Sequence, residues 1–101
     1  MNPIAENLLA LPSSIYNCLY VDRQAVLYNY HHIRNRIGAV ACGAVVKADA
    51  YNLGLEPIAR VLDEAGCKVF FVAYLDEGIA LRQHLPSDDT KIYVFNGFLP
   101  R

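Results

Sequence analysis

The chain has 101 residues, the size of one domain, and its 54% apolar and 19% charged residues exclude a disordered chain. The net charge of −1, without a cluster of lysine or arginine, argues against a surface for nucleic acid or anionic membranes. No apolar run reaches the length of a membrane helix, about 18–20 residues, so we expect no membrane partner.

The first half of the chain predicts a lead-in, a strand, a helix and a buried strand. Residues 1–17 are polar and interrupted by prolines, so we expect a loose lead-in. Cys18–Val21 is predicted as a short strand, and Asp22 as the N-cap of a helix that continues to about Ile37. The apolar run Ala39–Lys47 predicts a buried strand that ends at the lysine.

The second half alternates between helices and apolar strands. The predicted elements are a loop at Ala48–Gly54, a helix from Leu55 that ends at Gly66, a strand at Cys67–Ala73, a helix at Leu75–Leu85 and a strand at Lys91–Phe95. Strands that are apolar on both faces and joined by helices indicate an α/β fold with a parallel sheet. The pattern suits a doubly wound sheet or a (β/α)8 barrel, and the first loop lacks the Gly-x-Gly-x-x-Gly turn of a dinucleotide site.

The cysteines favour a reducing, cytoplasmic location. Cys18, Cys42 and Cys67 are odd in number and lack the spacing of a metal site. Cys42 and Cys67 lie in or beside apolar strands, where free thiols behave as small hydrophobic side chains. We therefore expect no metal. The segment before Cys18 lacks a basic start, which argues against a signal peptide.

Lys47 is the candidate catalytic residue because it ends an apolar strand. Side-chain alternation puts Gly43, Val45 and Lys47 on one face of that strand. If this is the inner face of a barrel, Lys47 points into the mouth at the carboxyl ends of the strands, where such enzymes place their sites. Burial lowers the pKa of a lysine amine and makes it a nucleophile towards carbonyl carbons. On spacing alone, a lysine that caps the strand and keeps its ammonium in water is the favoured alternative.

Tyr51 is the second candidate, four residues further on in the loop. A tyrosine hydroxyl on a loop between strand and helix can bind a phosphate, helped by the amides around Asn52–Gly54. Packing of the ring on a neighbouring helix is an equal alternative.

The run Val45–Tyr51, with the sequence VVKADAY, resembles the pyridoxal-phosphate attachment segment of alanine racemases. The likeness covers the chain from about Tyr20 to Pro100, and its flanking matches are Tyr20–Val26 with Asn29, Glu64–Gly66, Leu75–Arg82 and Ile92–Phe95. The resemblance implies that Lys47 forms the Schiff base with the cofactor and that Tyr51 binds its phosphate. It further implies cofactor contacts from Val45 and Phe95. The family usually has Gly-His-Gly after the tyrosine, where this chain has Asn52-Leu53-Gly54. The resemblance therefore still implies cofactor attachment, but it does not extend to the conformation of the loop or to a hydrogen bond from that histidine.

The resemblance also implies an architecture and a reaction. Residues 18–101 would form the N-terminal part of a (β/α)8 barrel, with about three βα units preceded by one strand. The whole enzyme, an isomerase, would interconvert L- and D-alanine for D-alanine biosynthesis, with pyridoxal 5'-phosphate as cofactor, a small amino acid as substrate and a homodimer as the assembly.

The length limits this expectation. In the family the second catalytic base is a tyrosine from the partner subunit's C-terminal domain, which lies outside 101 residues. We therefore expect an N-terminal fragment, an engineered piece or a truncated remnant that carries the lysine, is inactive alone and can associate through open sheet edges. The alternatives are a non-catalytic remnant or interaction module, and part of a racemase or decarboxylase for another amino acid.

Overall fold

A three-stranded parallel sheet organises the computed structural model, which describes residues 3–98. The elements are, in chain order, α1 (Pro3–Leu9), α2 (Arg23–Ile37), β1 (Ala44–Val45), α3 (Lys47–Asn52), α4 (Leu55–Glu64), β2 (Val69–Val72), α5 (Leu75–Gln83) and β3 (Lys91–Val94). The predicted α/β class with parallel strands is confirmed. None of the helices within residues 3–98 has the length and apolar character of a membrane span.

The strands lie in the order β1-β2-β3, so each strand pairs with the next one along the chain. Ala44 is in register with Phe70, and Phe70 with Ile92. Because all three strands are parallel, their carboxyl ends meet at one edge of the sheet. The residues that follow Val45, Val72 and Val94 therefore lie along the same edge.

The helices cover one face of the sheet and leave the other partly open to solvent. On the covered face, Phe70 and Val72 are 0% exposed, and they pack in a core with residues of the helices such as Leu81. On the open face, Tyr93 is 49% and Phe95 is 55% exposed. The strands are apolar on both faces, as predicted, but the described residues bury only one of them.

Helix α2 is fixed at both ends by polar contacts. The Asp22 carboxylate accepts a hydrogen bond from the Ala25 amide at 3.2 Å, which confirms the predicted N-cap. Near its other end, the Arg34 guanidinium donates to the carbonyl of Ala65 at 3.1 Å, a group that follows α4. This bond joins α2 to the turn at Gly66, whose φ of +91° favours glycine.

Two predictions for the first half of the chain are wrong. Cys18–Val21 is not a strand, because a strand needs a hydrogen-bonded neighbour and the three-stranded sheet of residues 3–98 does not extend to this segment. The strand predicted over Ala39–Lys47 is paired only at Ala44–Val45, since β1 lies at the edge of the sheet and has β2 on one side alone. The lead-in also contains helix α1 within the described residues.

Candidate functional site

Lys47 lies at the carboxyl edge of the sheet, one residue after the buried Val46. The Val46 amide still donates to the carbonyl of Phe71 at 2.9 Å, so the strand geometry continues up to the lysine. Alternation holds as predicted, because Val46 is 2% exposed on the covered face whereas Val45 is 40% exposed on the open one. Lys47 therefore leaves the sheet on its open face, partly buried, with Nζ 6.0 Å from the ring centroid of Phe95.

Three stacked rings form an aromatic platform on the open face, made of Phe71, Tyr93 and Phe95. The Phe71 ring lies 5.4 Å from each of the other two, centroid to centroid. It also covers Gly43, where an added Cβ would come within 2.7 Å of Phe71 Cε2. Glycine at residue 43 thus lets the platform lie close to β1, and Lys47 stands at its edge.

The segment after Lys47 is a left-handed helical turn and not the predicted loop. Five consecutive residues, Ala48–Asn52, have φ between +53° and +67°, and none is a glycine. The Ala50 amide donates to Val46 O at 3.0 Å, which closes one turn of this backbone. Each L-residue in this region costs about 1–2 kcal/mol, so neither turn propensity nor helix periodicity predicts it.

Asp49 stabilises the far end of the left-handed turn. Its carboxylate accepts a hydrogen bond from the Leu55 amide at 2.8 Å, and its carbonyl accepts one from Gly54 at 3.0 Å. The first bond satisfies a backbone donor in the first turn of α4, which otherwise lacks a side-chain cap. The turn is therefore connected directly to the start of the next helix.

Glu77 stabilises the near end of the turn, and the sequence analysis did not identify it as a functional residue. One carboxylate oxygen accepts from the Ala48 amide at 2.5 Å, and the other accepts from Ala73 and Tyr74, each at 2.9 Å. Burial alone would raise the pKa of Glu77, but these three amides and the charge of Lys47 hold it below its usual range. The only signal in the sequence was an acidic residue three positions after Tyr74, at the start of α5.

The four predicted site residues occupy two places. Lys47, Val45 and Phe95 lie together on the open face at the carboxyl edge of the sheet. Tyr51 lies in the left-handed turn with its side chain 58% exposed. That exposure disfavours the alternative in which the ring packs against a helix, and it leaves the hydroxyl accessible to a ligand. No group of three or more metal-ligating side chains is found between residues 3 and 98.

Tyr30 anchors the segment that leads to β1. This residue is 7% exposed on α2, and its hydroxyl donates to the carbonyl of Cys42 at 3.2 Å. Burial, together with the neighbouring Cys67 and Cys42, raises the pKa of Tyr30 to about 12. The contact joins α2 to the chain five residues before Lys47.

We expect Tyr30→Phe to lower the free energy of unfolding by an amount that depends on pH. The pKa of Tyr30 is 10.0 when unperturbed and about 12 in the folded chain, so the contribution is complete below pH 10 and disappears as the pH rises towards about 12. Below pH 10 the wild type should be more stable by about 1 kcal/mol, the net value of one hydrogen bond. Urea unfolding of both proteins across this range measures the difference, and a difference that does not change with pH would contradict the assignment.

Comparisons with known proteins identify relatives of this chain. The model of the family described as alanine racemase, N-terminal domain, matches residues 21–101. "Alanine racemase 3" of Salmonella typhi is 46% identical over 83 residues, 82% of this chain and 22% of that protein. The alanine racemase of Brucella ovis is 48% identical over 82 residues, 81% of this chain and 20% of that protein. The chain thus spans about a fifth of the length of these relatives.

Solved structures of alanine racemases also resemble this chain. The alanine racemase from Bartonella henselae with covalently bound pyridoxal phosphate superposes with a TM-score of 0.75 at 40% identity, covering 78% of this chain and 23% of the other. The alanine racemase from Bacillus anthracis with bound L-Ala-P has a TM-score of 0.69 at 34% identity, covering 83% of this chain and 23% of the other.

Proposed function

The chain belongs to the family of the alanine racemase N-terminal domain, and we propose that it is the part of a pyridoxal-phosphate-dependent alanine racemase that attaches the cofactor through Lys47. The observation that carries the proposal is the position of this lysine at the carboxyl edge of a parallel sheet. Active sites of α/β proteins are built at this edge. Among the lysines in residues 3–98, Lys47 is the one whose amine lies beside the aromatic platform.

We propose further that the three strands are consecutive strands of a (β/α)8 barrel. The parallel order β1-β2-β3 is the order such a barrel requires. The helices lie on one side of the sheet, as on the outside of a barrel, and the platform and Lys47 lie on the other. The open face of the sheet would then be part of the barrel interior, and residues 18–101 would be the N-terminal part of the barrel domain.

The residues at this edge fit the cofactor chemically. Pyridoxal phosphate, when bound, supplies an aldehyde carbon that reacts with an amine and a ring that makes the Cα proton of an attached amino acid acidic. Lys47 supplies the amine, at the edge of an apolar platform that can accommodate a ring. Tyr51 supplies an accessible hydroxyl that can donate to a phosphate oxygen. Val45, on the same face as Lys47, and Phe95 complete the contacts that we assign to the cofactor.

In the whole enzyme, the chain's own residues would hold the cofactor and move one proton. Lys47 Nζ, as a free amine, could accept the Cα proton of the substrate on one face or return it. Racemisation also needs a base on the opposite face, and none of the residues that we assign to the site takes that role. We therefore propose that this chain alone does not racemise L-alanine. The family resemblance carries the remaining proposals, a cytoplasmic homodimer that acts in D-alanine biosynthesis.

Reductive labelling tests the proposal. The chain is mixed with pyridoxal phosphate, treated with borohydride, which fixes the bond to an amine nitrogen as a secondary amine, and mapped by mass spectrometry. We expect the label on Lys47, and less of it on Lys68, which lies near the carboxylates of Asp63 and Asp89 at 3.9 and 3.6 Å. Tyr51→Phe or added inorganic phosphate should reduce the label on Lys47. Equal labelling of Lys47, Lys68 and Lys91 would contradict a specific site.

A further inference from the structure

We infer that Glu77 is a positioning residue for Lys47, because its carboxylate holds the left-handed turn that begins directly after the lysine. The inference rests on the proposed function for the role of Lys47, and on three hydrogen bonds for the role of Glu77. The carboxylate connects three segments at the carboxyl edge of the sheet: the residue after Lys47, the end of β2, and the start of α5.

The turn after Lys47 has a strained backbone. Ala48 is the first of the five residues with positive φ, at +53°, and its amide is the group that donates to Glu77 Oε2. An L-residue adopts this conformation only when surrounding contacts compensate for its cost. At Ala48 this contact is a hydrogen bond to a charged acceptor, the stronger kind. The bond therefore favours the left-handed conformation at the position that sets the direction of the chain after Lys47.

The hydrogen bonds made by Glu77 need both oxygens of a carboxylate. Glu77 accepts three hydrogen bonds with two oxygens, one bond on the side of Ala48 and two on the side of the α5 cap. A glutamine at this position has one acceptor oxygen, and its amino group is a donor. With that oxygen on the cap, the amino group would face the Ala48 amide, so the cap would remain and the bond to the turn would be lost.

Glu77 also lies near the charge of the lysine itself, which is among the causes that keep the pKa of Glu77 low. The carboxylate acts on the position of Lys47 through the backbone of the next residue. Glu77 does not need to touch substrate or cofactor for this effect.

The test compares Glu77→Gln with Asp76→Asn in the 101-residue chain. Asp76 is the exposed neighbour in the first turn of α5, so its substitution removes one charge from the same helix end. Two measurements are made: the initial rate of borohydride-fixed pyridoxal-phosphate labelling at Lys47, and hydrogen exchange of the amides at 48–52 and 75–83 without cofactor. We expect Glu77→Gln to slow the labelling and to speed exchange at 48–52 by about tenfold each, which corresponds to 1.4 kcal/mol. Asp76→Asn should change neither.

The outcomes separate this inference from the proposed function. If the wild type shows no preference for Lys47, the proposed function fails, and exchange at 48–52 still decides whether Glu77 holds the turn. If the wild type labels selectively and Glu77→Gln labels equally fast, the positioning role is wrong. Faster exchange in 75–83 alone would reduce Glu77 to a helix cap and also overturn the inference.

Discussion

We expect Lys47→Arg to abolish covalent labelling by pyridoxal phosphate and borohydride at the carboxyl edge of the sheet. Arginine keeps the positive charge and can remain above the Phe95 ring, where Lys47 Nζ lies 6.0 Å from the centroid. Its guanidinium is not deprotonated in proteins, so it cannot attack the aldehyde carbon. The measurement is the amount of pyridoxyl group per chain, by mass spectrometry of the intact protein and of its peptides.

Lys91→Arg is the matched control. Lys91 is the exposed first residue of β3, at the opposite end of the sheet from Lys47. The same substitution there should leave the label on Lys47 at the wild-type amount. If a Lys47→Arg protein still takes up wild-type amounts of label on its remaining lysines, the attachment is not specific to Lys47.

Phe70→Ala is expected to cause the largest loss of stability, about 3–5 kcal/mol, the usual cost of removing a buried phenylalanine. Phe70 is the central residue of the sheet, paired to Ala44 on one side and Ile92 on the other, and it is 0% exposed. Domains have a free energy of unfolding of about 5–15 kcal/mol, so the variant is largely destabilised. Urea unfolding should show the midpoint lowered by more than about 1 M.

Phe98→Ala tests whether this loss comes from burial of the ring. The Phe98 side chain is 77% exposed, so its removal should change the free energy of unfolding by less than about 0.5 kcal/mol. Similar losses for the two alanine variants would contradict a core centred on β2.

Hydrophobic patterning predicted the part of the fold that depends on burial. The helix after Asp22, the helix from Leu55 and the strand at Cys67–Ala73 are present, with ends that differ by a few residues. Alternation also predicted that Lys47 shares a face with Val45 and not with Val46, and burial in the structure agrees. Each of these features follows from which side chains avoid water, and that information is present in the residues themselves.

The features that could not be predicted depend on contacts between distant segments. Ala48–Asn52 has no glycine to indicate a left-handed backbone, and its first amide donates to Glu77, which lies 29 residues from Ala48 along the chain. The strand predicted at Cys18–Val21 has suitable residues, but no neighbouring strand within residues 3–98 pairs with it. Local preference identifies residues that can form a strand, and pairing decides whether they do.

The left-handed turn has a stereochemical consequence. At residues 48–52 the chain follows the mirror image of the backbone that L-amino acids prefer, with φ from +53° to +67°. A D-alanine in place of Ala48 or Ala50 would meet its own preferred region there, whereas the same exchange within α4 would place it against its preference. Chirality at the α-carbon therefore contributes directly to the local energy of the segment that follows Lys47.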